Sequence, residues 1–365
     1  MLARSLAATT RRTAALASVL GSDIPPTCFM AAGAPPVEAL PPDQWSTVKA
    51  VLVGSGSDGM GGEGITDAVL ELVGKECPSD VCILYIGTPT YDLPGPAKKQ
   101  CAQFVEAGCA VSELRLIGET TPVPSAGEIA ALVQRADVIL VSGGNPLFSV
   151  ALWQAYGVPT LLREAVQAGT VICGGSCGLI SWFDAGHSDS ADPASYKDAM
   201  LGGAITQESE SEAATPAVQA LEGGDSWEYI RCPCLGLLPG LVCPHHDRVQ
   251  SNGVPRAEDF DKMMLRHPGE YGIAVDHWAA LVLDGKGGYR VFSIPGMPGS
   301  VGADGTFVSD GTGRPGVWLK EVQAGVVKST LLPQEGSVSS LLRVAQQIVE
   351  DPRIPALRRD NPAVR

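Results

Sequence analysis

The sequence has no uninterrupted apolar stretch that approaches the ~20 residues needed to cross a bilayer, so no membrane-spanning segment is expected. It is also poor in cations, because 26 Lys and Arg residues stand against 40 Asp and Glu residues, giving a formal net charge of −14. Such an acidic chain is repelled by phosphate backbones and by anionic lipid headgroups. Nucleic acids and membrane surfaces are therefore not expected as partners.

The C-x-x-C spacing of many metal-binding cysteines is missing as well. The ten cysteines are scattered along the chain and form no C-x-x-C pair, which argues against a zinc knuckle. Several of them, such as Cys82 and Cys173, lie in apolar runs, where a reduced thiol behaves as a small hydrophobic side chain. We interpret the cysteines as thiols of a protein that resides in a reducing compartment.

The N-terminal segment lacks carboxylates. Residues 1–22 contain three arginines among many Ala, Ser and Thr residues, and Asp23 is the first acid. This composition is typical of an organellar transit peptide, with a disordered tail as the alternative, so cytoplasm, mitochondrion and plastid all stay open as locations. Residues 23–47 carry repeated prolines and are interpreted as a linker. The folded part is expected to begin near Val48.

From there on, apolar runs alternate with segments of helical periodicity. The predicted strands are Val48–Val53, Val81–Ile86, Ala110–Leu116, Val138–Val141 and Thr170–Cys173. The predicted helices are Thr66–Val73, Ala97–Ala107, Ala126–Arg135, Leu147–Tyr156 and Leu161–Ala168. Strands that are apolar on both faces and are each followed by a helix form a parallel sheet with right-handed crossovers. The sequence therefore predicts a doubly wound, mostly parallel α/β fold.

This alternation breaks at residues 190–232, which are rich in Ser, Ala, Gly and acids and are interpreted as an exposed insertion or lid. Sheet-like runs then resume at Leu235–Pro244, Gly272–Leu283 and Tyr289–Ser293. The pair Gly316–Val322 and Val326–Leu332 predicts a β-hairpin with Gly325 in its turn, and Val338–Glu350 predicts an amphipathic helix. Residues 48–332 are thus expected to form the α/β domain, and residues 333–365 a C-terminal helix and tail.

Residues Gly174 to Gly178 read Gly-Gly-Ser-Cys-Gly and follow a predicted strand directly. A strand, a G-x-S-x-G turn and a helix in succession are the pattern of a nucleophile elbow. The glycines permit a tight turn, and the N-terminus of the next helix presents free N–H groups and the positive end of its dipole. Ser176 is therefore predicted to be a nucleophile, with an unreactive serine in a strand-to-helix turn as the alternative.

A nucleophilic serine needs a base and a group that orients the base. His245 and His246 follow an apolar run, which places them at the carboxyl end of a strand, the edge at which Ser176 also lies. One of them is the expected base, and polar residues at a strand end are the alternative. The other three histidines are His187, which follows the elbow, and His267 and His277, which look ordinary.

Three carboxylates are candidates for the acid, namely Asp184, Asp189 and Asp247, although each could instead cap a turn. The order Ser176, Asp189, His245 is one of several orders that catalytic triads use. A metal site made by residues 245–247 with residues 187–189 is less favoured, because adjacent residues on a strand point in opposite directions.

Two glycine clusters follow predicted strands. The segment Ser142-Gly-Gly-Asn145 has peptide N–H groups that could form an oxyanion hole, or Asn145 could instead cap a helix. The segment Gly54 to Gly59 matches G-x-G-x-x-G, but the next predicted strand ends without the acid of a dinucleotide site. A flexible loop is therefore favoured over a nucleotide site there.

Taken together, these marks resemble the serine peptidase family that contains peptidase E (aspartyl dipeptidase) and cyanophycinase. The resemblance covers about Val48 to Leu332 and depends on three motifs, Gly143-Gly144-Asn145, Gly174-Gly-Ser-Cys-Gly178 and Cys243-Pro244-His245. It implies a class I glutamine-amidotransferase-like sandwich, which is related to the flavodoxin type.

The resemblance also implies roles for individual residues. Ser176 would be the nucleophile, His245 the base and Asp189 the acid of a serine peptidase that cleaves short peptides at aspartyl residues. The implied oxyanion hole consists of amides near Gly144 and Asn145 and at Cys177, and the implied substrate-binding cation is Arg256 or Arg248. No metal or cofactor is expected, the partner is a small peptide, and a homodimer is compatible with this interpretation.

Two features depart from the family. Cys177 stands where the family usually has Ala, and the 190–232 insertion has no clear counterpart in the small bacterial enzymes. Another amide or ester hydrolase and a non-catalytic binding protein of the same fold are therefore the alternative functions.

Overall fold

The computed structural model describes residues 37–118, 122–200 and 227–360. The predicted transit peptide, residues 1–22, and most of the predicted insertion lie outside these residues. The described end of the predicted linker is part of the folded domain. The Leu40 N–H donates to the Leu237 carbonyl at 3.1 Å, and Trp45 is buried in a short 3-10 turn. Folded structure therefore begins several residues before Val48.

One sheet of eight strands carries the parallel part of the fold. Its strands are β1 (Lys49–Val53), β2 (Cys82–Ile86), β3 (Ala110–Leu114), β4 (Val138–Val141), β5 (Val171–Gly175), β10 (Ala279–Asp284), β11 (Gly288–Ser293) and β14 (Glu335–Ser337). Their order is β14-β11-β10-β1-β5-β4-β2-β3. The run β1-β5-β4-β2-β3 is parallel, as predicted, whereas β10, β11 and β14 add an antiparallel wing.

Helices cover both faces of this sheet. They are α1 (Ser57–Met60), α2 (Ile65–Val73), α3 (Pro94–Glu106), α4 (Ala126–Arg135), α5 (Pro146–Ala155), α6 (Val158–Gln167) and α7 (Cys177–Ile180). The central strand shows why both faces are covered, since Ala50 and Leu52 of β1 pack in one apolar core and Val51 and Val53 pack in another. The sequence of a strand that is buried on both faces is a continuous apolar run, and such a run predicted β1.

A second sheet of six strands corrects the expectation of one doubly wound sheet. It consists of β6 (Phe183–Ser188), β7 (Ile230–Pro233), β8 (Leu238–Cys243), β9 (Gly272–Val275), β12 (Val317–Gln323) and β13 (Val326–Leu331), in the order β13-β12-β9-β8-β6-β7. The hairpin β12–β13 is confirmed, with Gly325 at φ 78° in its turn. The molecule is thus a mixed α/β protein with two multi-stranded sheets.

The predicted strand Gly272–Leu283 is in fact two strands in different sheets. β9 ends at Val275, and β10 begins at Ala279 after a turn in which the Ala279 N–H donates to the Asp276 carbonyl at 2.9 Å. The three residues of this turn connect the two sheets directly. Both halves of the run are apolar, and the polar residues Asp276 and His277 between them are too short an interruption to predict a change of sheet.

The remaining helices are α8 (Arg256–Arg266), α9 (Val338–Leu341) and α10 (Ile354–Asp360). The predicted helix Val338–Glu350 is therefore wrong beyond Leu341. Leu342 is extended at φ −94° and ψ 127°, and the Gln346 N–H donates to the Gly269 carbonyl rather than to a helical acceptor. None of the described helices has the length and apolar character that crossing a membrane requires.

Candidate active site

Ser176 lies in a strained turn between β5 and α7, with φ 55° and ψ −112°. A non-glycine residue at positive φ is uncommon and tends to occur where function requires it. A Cβ atom at Gly175 would collide with the Ser55 carbonyl, and one at Gly178 would collide with the Val141 carbonyl. The glycines around Ser176 are thus required by backbone contacts, and the strand–turn–helix context of a nucleophile elbow is present.

His245 follows β8 and reaches the same place as the elbow. Its N–H donates to the Gly54 carbonyl at 3.0 Å, and the Ser176 N–H donates to the preceding carbonyl, that of Val53, at 3.2 Å. The predicted nucleophile and base are therefore both attached to the carboxyl end of β1. Ser176 Oγ makes no hydrogen bond to His245 or to any other described residue, as is common for catalytic groups in the absence of substrate.

The side chain beside the His245 ring is a second histidine. His245 Nδ1 lies 2.9 Å from His277 Nδ1, and His277 Nε2 lies 3.5 Å from Asp58 Oδ2. The His277 N–H donates to Asp247 Oδ1 at 2.7 Å. His277, which looked ordinary in the sequence, thus belongs to the site. It follows β9, the parallel neighbour of β8, but the sequence placed it inside one long predicted strand, so the rule that sites form at strand ends did not point to it.

Asp189, the predicted acid, is not brought to His245. Its Oδ2 accepts a hydrogen bond from Gln250 Nε2 at 3.0 Å and lies 3.5 Å from Arg256 Nη2. Asp184 is occupied elsewhere, since its Oδ2 accepts the Gly240 N–H at 3.0 Å. Of the three candidate carboxylates, only Asp247 adjoins the site, where it accepts the His277 backbone N–H. The Asp189 carboxylate is instead paired with Arg256.

Asn145 takes the alternative role that the sequence left open. Its N–H donates to the Pro89 carbonyl at 2.8 Å, and its Oδ1 accepts the Phe148 N–H at 3.1 Å as the N-cap of α5. The peptide N–H of Asn145 is therefore not available to an oxyanion. This corrects its predicted place in the oxyanion hole.

Two other predicted donors remain available. The Gly144 N–H has no acceptor among the described residues, and Cys177 is the first residue of α7, where an N–H has no partner within the helix. The adjacent Gly143 packs on the elbow, because a Cβ placed there would lie 3.7 Å from Ser176 Cβ. The turn that carries the Gly144 N–H thus packs on the elbow, and the Cys177 N–H belongs to the residue that follows the predicted nucleophile.

The two predicted cations differ in exposure. Arg256 is buried, and its guanidinium donates to the carbonyls of Pro244 and His187 at 3.3 and 3.4 Å besides pairing with Asp189. Arg248 keeps about a fifth of its side chain exposed, at 20%, with Nε 3.8 Å from Asp247 Oδ2. Arg248 is accordingly the better placed of the two to meet a substrate. The described residues contain no group of three or more His, Cys, Asp or Glu side chains arranged to hold a metal ion.

The surroundings of His245 keep its ring neutral. Burial lowers the pKa of His245 well below 6.5, and the nearby His277, Arg256 and Arg248 lower it further. A base must be unprotonated to accept a proton, so kcat/KM should stay level as the pH falls through 6.5 and decline only at lower pH. A profile of kcat/KM between pH 4 and 8 measures this. An acidic limb centred at pH 6.5 or above would contradict it.

The chain is similar to a known protein family and to proteins of two organisms. Residues 51–290 match Peptidase family S51. The chain is 32% identical over 325 residues to a Trypanosoma brucei brucei protein named G2/mitotic-specific cyclin-1, a match that covers 84% of this chain and 91% of that protein. It is 33% identical over 111 residues to the uncharacterized peptidase YgaJ of Bacillus subtilis (strain 168), which covers 30% of this chain and 46% of the peptidase. These names belong to the two relatives and assign no function to this chain.

Two solved structures are also similar. A peptidase E protein from Listeria monocytogenes EGD-e matches with a TM-score of 0.42 and 18% identity, over 67% of this chain and 98% of that one. A peptidase from an acI-B1 Actinobacterium matches with a TM-score of 0.47 and 15% identity, over 81% of this chain and 99% of that one. Because the family match extends over most of the chain and includes both Ser176 and His245, the chain belongs to Peptidase family S51.

Proposed function

We propose that the chain is a serine peptidase that cleaves short peptides through an acyl-enzyme, with Ser176 as the nucleophile and His245 as the base. The observation that carries the proposal is the strained Ser176 turn, whose backbone shares the end of β1 with His245. Membership of a peptidase family supports it independently. The parallel core of the first sheet is compatible with a class I glutamine-amidotransferase-like fold, which we propose as the finer classification.

The proposed reaction has two halves. His245 Nε2 accepts the proton of Ser176 Oγ as that oxygen attacks the scissile carbonyl carbon, and the N–H groups of Gly144 and Cys177 stabilise the oxyanion. The imidazolium then donates its proton to the leaving amine nitrogen, which leaves an ester on Ser176. Water attacks this ester with the same help from His245, releasing the carboxylic acid and the free serine. No further reactant is needed.

We propose a preference for aspartyl substrates, with Arg248 as the cation that meets the substrate carboxylate. Its support is the partial exposure of Arg248 beside Asp247, next to the base. A hydrogen bond to a charged group contributes about 1.5–3 kcal/mol. Asp-X dipeptides should therefore be cleaved with a kcat/KM roughly 10- to 100-fold above that of the isosteric, uncharged Asn-X dipeptides.

The test compares Asp-X, Asn-X, Glu-X and Ala-X dipeptides on the wild type and on Arg248→Gln. Arg248→Gln should reduce the Asp-over-Asn preference and leave the Ala-X rate unchanged. Equal rates on Asp-X and Asn-X, together with fluorophosphonate labelling of Ser176, would replace the aspartyl peptidase with another amide or ester hydrolase. Neither hydrolysis nor labelling would contradict the serine mechanism and favour a binding role.

A further inference from the structure

A histidine base works only in one tautomer. To accept the Ser176 proton at Nε2, the neutral His245 ring must carry its own proton on Nδ1, and that N–H needs an acceptor. In a serine triad the acceptor is a carboxylate. No described carboxylate reaches His245 Nδ1, and the atom that does, at 2.9 Å, is Nδ1 of His277.

Between two neutral rings, facing nitrogens form a hydrogen bond only when one of them carries the proton, which leaves two arrangements. In the first, His245 Nδ1–H donates to His277 Nδ1, and the proton of His277 lies on Nε2, facing Asp58 Oδ2 at 3.5 Å. In the second, His277 Nε2 would turn a lone pair toward that carboxylate, and His245 Nε2 would already be protonated. The Asp58 charge favours the first arrangement, in which His245 is a base.

His277 is held firmly enough to act in this way. Its N–H donates to Asp247 Oδ1 at 2.7 Å, and its carbonyl accepts the Ser55 hydroxyl at 2.7 Å. Its side chain is 3% exposed, so few rotamers are open to it. Asp247 Oδ1 is occupied by this backbone bond and does not replace His277 at the His245 ring.

The glycine-rich loop after β1 supplies both Ser55 and Asp58. The loop packs tightly on the turn that carries His277, because a Cβ at Gly54 would collide with the Asp276 carbonyl. This close approach requires glycine at the first position of the G-x-G-x-x-G segment. It brings the Asp58 carboxylate to the far side of the His277 ring.

We propose that His277, whose Nε2 faces Asp58 Oδ2 at 3.5 Å, is the residue that positions His245, in the place that a carboxylate takes in a serine triad. The proposal rests on the proposed function, in which Ser176 and His245 are the nucleophile and the base. His277 and Asp58 touch neither substrate nor the reacting atoms, and they act through His245 as positioning residues.

The experiment measures fluorophosphonate labelling of Ser176 and hydrolysis of the best dipeptide by His277→Leu, His277→Asn and Asp58→Asn. Labelling needs the base but no peptide recognition. Loss of the tautomer should lower kcat and the labelling rate of His277→Leu by roughly 10²- to 10⁴-fold, with KM changed less than about threefold. The amide oxygen of His277→Asn can accept the His245 proton, so this variant should recover at least about tenfold of the loss. Asp58→Asn should likewise lower kcat and the labelling rate with little change in KM, but by only about tenfold.

Asp259→Asn is the matched control. Asp259 Oδ1 lies 2.9 Å from Nε2 of the buried His187. The variant therefore removes a carboxylate charge beside a histidine, as Asp58→Asn does, but this histidine does not contact His245. It should label and hydrolyse at the wild-type rate. Thermal midpoints of all four variants separate loss of positioning from loss of folding.

Normal labelling of the wild type and an equal rate in His277→Leu would overturn the positioning role and leave the proposed function standing. Equal losses in His277→Asn and His277→Leu, in step with lower thermal midpoints, would also overturn it, because a structural role predicts no rescue. A wild type that neither labels nor hydrolyses would overturn both proposals.

Discussion

Ser176→Ala is expected to lower kcat/KM on the best dipeptide by roughly 10⁴- to 10⁶-fold, the range typical of removing a nucleophilic serine. The substitution removes Oγ and keeps Cβ and the backbone conformation at φ 55°, so the turn and its hydrogen bond to the Val53 carbonyl should persist. Any residual rate would come from the oxyanion donors and from substrate binding. The measurement is kcat/KM of both proteins, with a thermal unfolding curve for each.

Ser176→Gly is the informative companion variant. An L-residue in a sparsely populated region of φ and ψ costs about 1–3 kcal/mol, which glycine avoids, although glycine makes the unfolded chain more flexible. Ser176→Gly should therefore be inactive yet more stable than Ser176→Ala by about 1 kcal/mol in the free energy of unfolding. An Ala variant as stable as the Gly variant would mean that the turn stores no strain.

Gly175→Ala should destabilise the protein by at least about 3 kcal/mol or prevent folding, since overpacking against backbone exceeds the usual cost of an extra methyl group. The new Cβ would lie 2.5 Å from the Ser55 carbonyl carbon and 3.1 Å from Gly56 Cα. These are backbone atoms, so no change of side-chain rotamer can relieve the contact. Relief requires β5 and the glycine-rich loop to move apart, which would also displace Asp58.

The control for this variant is Gly127→Ala. Gly127 lies in α4, and a Cβ there would meet nothing within 4 Å. The same substitution should therefore stabilise the protein by roughly 0.5–1 kcal/mol through helix propensity. Urea unfolding of the two variants measures the contrast. A cost below about 1 kcal/mol for Gly175→Ala would show that the loop adapts and that the close approach is not required.

The parallel core was predictable because its signals are local. β4 has the predicted bounds, since its four residues are buried on both faces. α4 also has the predicted bounds, and it begins at a capping box between Ser125 and Glu128. The split after Val275 was not predictable, because the change of sheet depends on which strands pair with β9 and β10 rather than on their own residues. The prediction of a long C-terminal helix was wrong for a similar reason, because the Gln346 N–H donates to the distant Gly269 carbonyl and not to a helical acceptor.

Part of the candidate site could likewise be predicted from local sequence, and part could not. The surroundings of Ser176 and His245 could be predicted from motifs that set the backbone locally. The group beside His245 could not, because His277 is 32 residues further along the chain, and its contact depends on the parallel pairing of β8 and β9. Asp189 was favoured by chain order and by the resemblance to the family, and neither indicates the cation that pairs with it. The sequence left two roles open for Asn145, an oxyanion donor and a helix cap. The hydrogen bond from its N–H to the Pro89 carbonyl excludes the first.

The two sheets contribute different halves of the site. Ser176 comes from β5 of the first sheet, whereas His245 comes from β8 of the second, and both are attached to the end of β1. A chain in which only the first sheet has formed therefore holds a serine without its base. The proposed activity therefore depends on how the two sheets sit against each other, and a substitution that separates them would abolish it without changing Ser176 or His245.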